Sequence, residues 1–263
     1  MAKKTKKSDV LGQLDILFVI DATGSMALYI AEARRYAAEV AVKLAKDNDL
    51  DIRFGVVAYR DHPPQDNTFV TSSTKGFGDA AQLQDALSRL GASGGGDRPE
   101  AVWDGVAEAI KFDWRPGADR TIYLIGDSPP HGLAGNQNED AWPKGCPCGV
   151  TSDKLITDLK HERIEVNAFS IAGYADTTSA FELLTKATNG VCIKADSPAM
   201  ITSGYSTSLG DKSDSIVASR SVMATMAETG MTYSAASASL GLTTEETAKN
   251  VEYLKRRGIK TDE

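Results

Sequence analysis

Five stretches of the chain are apolar almost without interruption, and they restrict what it can fold into. QLDILFVI (13–20), DIRFGVVAYR (51–60), RTIYLIGD (120–127), RIEVNAFSI (163–171) and GVCIK (190–194) place β-branched and aromatic residues at successive positions. Strict alternation would mark a sheet with one wet face, whereas near-continuous runs mark strands covered on both faces. TFVTS (68–72) is expected to add a short edge strand. Helical spacing of apolar residues fills the intervals at 27–46, 79–90, 99–111, 151–161 and 177–188. Alternation of strand and helix across 13–200 predicts one α/β domain with a doubly wound, mainly parallel, Rossmann-like sheet.

The two ends read differently. Residues 1–12 open with MAKKTKKSDV, expected to be a solvated, disordered basic tail. No apolar segment follows it, so it does not read as a secretory signal. Residues 201–214 are small, polar and rich in Gly and Ser, the composition of a linker. Beyond it, 215–228, 233–241 and 244–258 predict a small three-helix, helix-turn-helix-like appendage over 215–263. No apolar run approaches the roughly 18 residues that span a bilayer. Three cysteines, an odd number, do not form a disulfide framework on this reading, and the expected setting is the cytoplasm. The formal charge is -7, while residues 1–9 are net basic and 211–263 nearly neutral, so the negative excess lies in the middle. Such a domain repels phosphate backbones and suits cations.

The middle also carries the chemistry. LFVIDATGSMALYIAEA (17–33) runs from a strand into Asp21, Thr23 and Ser25 and directly on into a helix. In open parallel sheets ligands bind at the carboxyl ends of strands. One carboxylate and two hydroxyls on a tight turn suit a hard divalent cation, which takes oxygen ligands and retains water. GASGGGDRPEAVWDGV contributes Asp97 and Glu100 after three glycines, and IGDSPPHG contributes Asp127 at the end of TIYLI. Taken singly, each acid reads equally as a helix cap, with Asp97 and Glu100 capping 99–111; three loops at one sheet edge favour a metal.

DATGSM resembles the Asp-x-Ser/Thr-x-Ser motif of von Willebrand factor type A domains, which build a metal-ion-dependent adhesion site. GDSPPHG followed by KGCPCG resembles the intracellular, alpha-kinase-associated and hemicentin-like branch of that family. The match covers residues 13–195. It implies ligation of Mg2+, or of Mn2+ or Ca2+ in its place, by Asp21, Thr23, Ser25 and Asp127. The second loop departs from the family's usual Thr: GGGDRPE is similar to the acidic loop of integrin β subunits, which implies Glu100 as ligand with Asp97 beside it or in place of the Thr. The resemblance further implies a protein partner whose acidic side chain completes the coordination, and an adaptor role within a larger complex.

Other residues carry blander readings. His131, after two prolines, reads as a turn residue; Asp61 and His62 in YRDHPP end a strand and line the rim. Cys146 and Cys148 supply half the ligands of a closed zinc site, and no second CxxC or HxxxH pair is visible, so a tight loop of small apolar thiols is expected. Two alternatives to a non-enzymatic adaptor remain. Asp21 in an Mg2+-dependent phosphohydrolase would need a nearby lysine and a further acid, and His131 stands where that acid would fall. DNA binding by the C-terminal helices is disfavoured by their near-neutral charge.

Overall fold

The structure, a computed structural model, describes residues 12–32, 34 and 50–261. The tail and most of the helix expected at 27–46 lie outside these residues; 27–32 are helical. Six strands form one sheet: β1 (Gln13–Asp21), β2 (Asp51–Tyr59), β3 (Thr71–Ser73), β4 (Asp119–Gly126), β5 (Ile164–Ile171) and β6 (Cys192–Ala195). Their order is β3-β2-β1-β4-β5-β6, and only β3 runs antiparallel. Labelled helices are α1 (Ala80–Arg89), α2 (Val102–Ile110), α3 (Ser152–His161), α4 (Ala175–Ala187), α5 (Pro198–Thr229), α6 (Tyr233–Ser239) and α7 (Thr244–Arg256).

The period of two along β1 divides the core. Leu14, Ile16, Phe18 and Ile20 pack with Leu83, Leu87 and Ile201 on one face; Leu17 and Val19 pack with Val102, Trp103, Val106, Phe181 and Leu184 on the other. Continuing that alternation, Asp21 falls on the face of Leu17 and Val19, toward α2. β1 is central, and Asp21 pairs with Tyr59 while Ile20 pairs with Ile125. The strand exits therefore lie side by side. α2 begins later than expected, capped at Ala101 with no side-chain bond, so neither Asp97 nor Glu100 is its cap. Glu100 instead forms an isolated parallel bridge with Pro130.

The expected linker at 201–214 is helical, within the continuous α5 that ends at Gly230 (φ 73°). Tertiary contacts override the weak local propensity. A Cβ on Gly204 would come within 2.7 Å of Phe169 and 2.8 Å of Ile193, so glycine lets the helix lie close on the sheet. Lys212 reaches Asp119 and Glu165, each at 3.1 Å, and Thr121 at 2.6 Å. Val222, Tyr233, Ala236, Val251 and Leu254 make a small core for the last three helices. Arg257 then returns to Asp119 at 3.1 Å. Burial alone would raise the Asp119 pKa, but Lys212 and Arg257 outweigh it and hold the carboxyl below its usual value. Asp119 starts β4, so this anchor lies at the end of the sheet opposite Asp21.

Removing one partner of a buried pair leaves an uncompensated charge and costs about 3 kcal/mol or more. Lys212→Ala is therefore expected to lower stability by about that amount in urea denaturation; a loss below about 1 kcal/mol contradicts the anchor.

Candidate metal centre

Asp21 closes β1 and shapes the turn that follows. The Thr23 amide and hydroxyl both donate to Asp21 Oδ1, at 2.9 and 2.6 Å, which caps the backbone in an Asx-type turn. The chain then enters a single 3-10 turn, Gly24–Met26, that brings Ser25 Oγ to 3.3 Å from Thr23 Oγ1. Asp21 Oδ2 is buried with no hydrogen-bond partner among the described residues.

The glycine-rich segment forms the second wall. Gly94 and Gly95 take φ of +76° and +87°, and a Cβ on Gly95 would sit 3.0 Å from Glu100 Oε1. Glycine is thus needed for both the left-handed backbone and the close approach. The Gly24 amide donates to Gly94 O (3.1 Å) and the Ser93 amide to Ala22 O (3.1 Å), tying this loop to the first. Buried Arg60 donates to Ser93 Oγ at 2.7 Å and lies over the Phe69 ring. The Glu100 amide donates to Pro129 O (3.0 Å), joining the second loop to the third. Glu100 is 3% exposed, and its Oε2 is also without a partner among the described residues. Asp127 follows β4, accepting from the Ser128 hydroxyl at Oδ1 (3.0 Å) and from Thr177 at its carbonyl (3.1 Å).

Thr23, Ser25, Asp97, Glu100 and Asp127 line one cleft of about 290 Å³, with Arg98 and Tyr174 at its wall; Asp21 lies beneath. Arg98 is held in a bidentate pair with Asp176 at 2.5 Å and lies over the Tyr174 ring. Asp97 borders the cleft; its Oδ2 accepts the Ala141 amide at 2.6 Å, while its Oδ1 is buried without a partner among the described residues.

Electrostatics separate this cleft from an ordinary polar surface. Burial, then the charge of Asp127, raises the Asp21 pKa to about 7 despite two hydrogen bonds from Thr23. Burial, then Asp21, Asp61 and Asp127, raises Glu100 to about 11. For Asp21, a rise of about three pH units above 3.8 puts about 4 kcal/mol on the ionised form. Unpartnered buried carboxylate oxygens beside two hydroxyls are a donor set that fits a hard divalent cation.

A second buried network adjoins the first. His131, expected to be a turn residue, is 2% exposed and donates through both ring nitrogens: Nε2 to Asp61 Oδ1 (2.7 Å) and Nδ1 to Asp140 Oδ1 (2.9 Å). Burial would lower its pKa, but the hydrogen bonds to Asp61 and Asp140 outweigh it and raise the value. Asp140 also accepts the amides of Gly132 (2.7 Å) and Trp142 (2.8 Å). His131 is thus a cationic brace between the loops after β2 and β4. Its segment was legible as a strand exit; its partner Asp61 is 70 residues away, beyond the reach of local pattern.

Residues 15–197 match the family profile described as von Willebrand factor A domain. The chain belongs to that family. Von Willebrand factor A domains commonly mediate protein–protein interactions, often bind a divalent metal and are generally not enzymes. The domain is 34% identical over 151 residues to the alpha-protein kinase vwkA of Dictyostelium discoideum, covering 56% of this chain and 23% of the kinase. This chain therefore spans less than a quarter of that relative. The fold is also shared with the open pilus adhesin SpaC of Lactobacillus rhamnosus GG (TM-score 0.55, 15% identity, 78% of this chain and 30% of that one). A von Willebrand factor type A protein from Catenulispora acidiphila gives a TM-score of 0.54 at 16% identity, over 77% of this chain and 42% of its own. No helix among the described residues is long and apolar enough to cross a membrane.

His131→Ala strands Asp61 and Asp140 in the interior without their cation. It is expected to cost about 3–5 kcal/mol, read from the denaturation midpoint, and an effect within about 0.5 kcal/mol contradicts the brace.

Proposed function

We propose that this domain is a divalent-metal-dependent protein-binding module, with Mg2+ held by Asp21, Thr23, Ser25, Glu100 and Asp127. The observation that carries the reading is a set of buried, unpartnered carboxylate oxygens at the cleft, Asp21 Oδ2, Glu100 Oε2 and Asp97 Oδ1, beside the Thr23 and Ser25 hydroxyls. Asp97, turned toward Ala141, supports the cleft wall in this reading, and Glu100 is the second-loop ligand. When bound, the cation supplies an electrophilic centre that accepts an acidic side chain of a protein partner. Tyr174, half exposed at the cleft, offers an aromatic contact for the same partner. The free cysteines suit a reducing cytoplasm, and the likeness to a kinase-borne segment favours an adaptor role in a larger assembly.

The rivals are less well supported. No lysine lines the cleft among the described residues, which disfavours phosphoryl transfer through Asp21. In the appendage Arg257 is committed to Asp119, and residues 211–263 carry seven basic against eight acidic groups, a balance that favours no phosphate backbone.

Calorimetric titration with Mg2+ tests the site, and chelator-sensitive retention of a protein partner tests its use. Asp21→Ala is expected to abolish both while leaving the circular dichroism spectrum unchanged; retention of partner in EDTA contradicts the reading. At about 100 times its Kd the cation should add about 2.7 kcal/mol, a Tm rise of roughly 5–10 °C.

The pH dependence has a defined sign. Asp21 has a cation-free folded value of about 7, above its ordinary 3.8, so the stability of its protonated form is present below about 4 and lost as pH rises through 7. Cation binding needs the carboxylate and moves the opposite way. Mg2+ affinity is expected to weaken between pH 8 and pH 6 by about tenfold through Asp21 and further through Glu100, whose carboxyl is also raised, and a flat profile contradicts the proposed ligation by these buried acids.

A further inference from the structure

Cys146 and Cys148 lie in the loop after β4, where the Gly149 amide donates to Cys146 O (2.9 Å) and the Cys148 amide to Cys146 Sγ (3.3 Å). The expectation of small apolar thiols fails here, because the fold surrounds them with polar groups from two other segments. Cys146 Sγ is 3.0 Å from Asp104 Oδ2, on the first turn of α2, and 3.5 Å from Nε2 of His62, in the loop after β2. His62 Nε2 is 3.2 Å from Asp104 Oδ2, and Cys148 Sγ is 3.9 Å from His62 Nδ1. All four residues offer one ligand atom within 4.8 Å of every other.

Zinc binds sulfur at about 2.3 Å and nitrogen or oxygen at about 2.0–2.2 Å in a tetrahedron, so neighbouring ligand atoms sit about 3.3–3.8 Å apart. The four groups supply that ligand count within 4.8 Å of one another, somewhat wider than the bound tetrahedron, so a zinc ion would draw them inward onto one nitrogen of His62. We propose that His62, Asp104, Cys146 and Cys148 form a structural zinc site that staples the loop after β2, helix α2 and the cysteine loop together. Thiolate and imidazole select zinc over the magnesium that all-oxygen ligands prefer, so the two centres differ in kind. Binding releases the two thiol protons to solvent. The staple also borders the second network: the His62 amide donates to Asp61 Oδ1 at 2.6 Å, and Trp142 packs its edge on both His62 and His131.

A cysteine–histidine–aspartate nucleophile is the competing use of these residues. It requires the thiol on one ring nitrogen and the acid on the other. Here Cys146 and Asp104 both face Nε2, and Asp104 also contacts the thiol directly; Cys148 does lie on Nδ1, but at 3.9 Å, and burial and then Asp104 raise its thiol as well. Burial and then Asp104 push the Cys146 thiol up to about 12, opposite to what activates a nucleophile.

The test uses the full chain purified with reductant, reconstituted with Zn2+, dialysed and analysed by elemental mass spectrometry. About one tightly held zinc per chain is expected. The Cys146→Ser/Cys148→Ser double variant should lose at least about nine-tenths of it, while Asp21→Ala keeps it, which separates this centre from the magnesium site. Reconstitution of the native chain with Co2+ needs no variant: intense visible bands of tetrahedral cobalt with a near-ultraviolet thiolate charge-transfer band are expected. A native chain that retains no zinc, zinc unchanged by the double variant, or cobalt showing only weak octahedral bands without the thiolate band each overturns the proposal.

Discussion

Carboxylates crowded at the exits of two adjacent parallel strands, with too little positive charge among the described residues to offset them, are the constraint that organises this domain. β1 and β4 run side by side, so Asp21 and Asp127 leave the sheet as neighbours. The bridge from Glu100 to Pro130 adds a third acid to the same cleft. Burial then converts closeness into energy, since an ionised group in low dielectric is costly unless it is paired. Arg60 lowers Asp21, but by less than burial and the charge of Asp127 raise it.

The opposite end of the sheet shows how the same chain treats acids that have only a structural role. Asp15 is wholly buried, yet accepts from Arg53 at 2.8 Å and from Arg115 at 2.8 Å. Asp119 has Lys212 and Arg257, and Glu165 shares Lys212. Charge is matched residue by residue at that end, and the appended helices are fastened by the match. At the strand exits the backbone is as well ordered by hydrogen bonds, through Thr23, Gly24, Ser93 and Glu100, but among the described residues the acids outnumber the cations that face them. That contrast is what supports the proposal that the acids at the strand exits are kept for an exogenous cation.

The strands and the order of the three acidic loops were legible because both are local. Near-continuous apolar runs mark covered strands, and Asp21, Thr23 and Ser25 lie within five residues of one turn. Helix α5 was not legible over 201–214, since its helicity depends on Gly204 fitting against Phe169 and on Lys212 reaching Asp119. Glu100 and Asp97 were visible as acids, but the hydrogen bond that separates them, from the Ala141 amide to one oxygen of Asp97, comes from 44 residues further along the chain. The roles of His131 and of the cysteine loop were hidden for the same reason, as each partner comes from a different strand exit. Spacing along the chain reports a turn; it does not report which turns meet.

The most direct test of the central claim is anomalous scattering from crystals grown with Mn2+, whose coordination chemistry is close to that of Mg2+. One strong anomalous peak is expected in the cleft, about 2.0–2.3 Å from the Thr23 and Ser25 hydroxyl oxygens and bordered by Asp21, Glu100 and Asp127. Crystals that diffract well and show no peak there, or a peak only elsewhere on the molecule, contradict it.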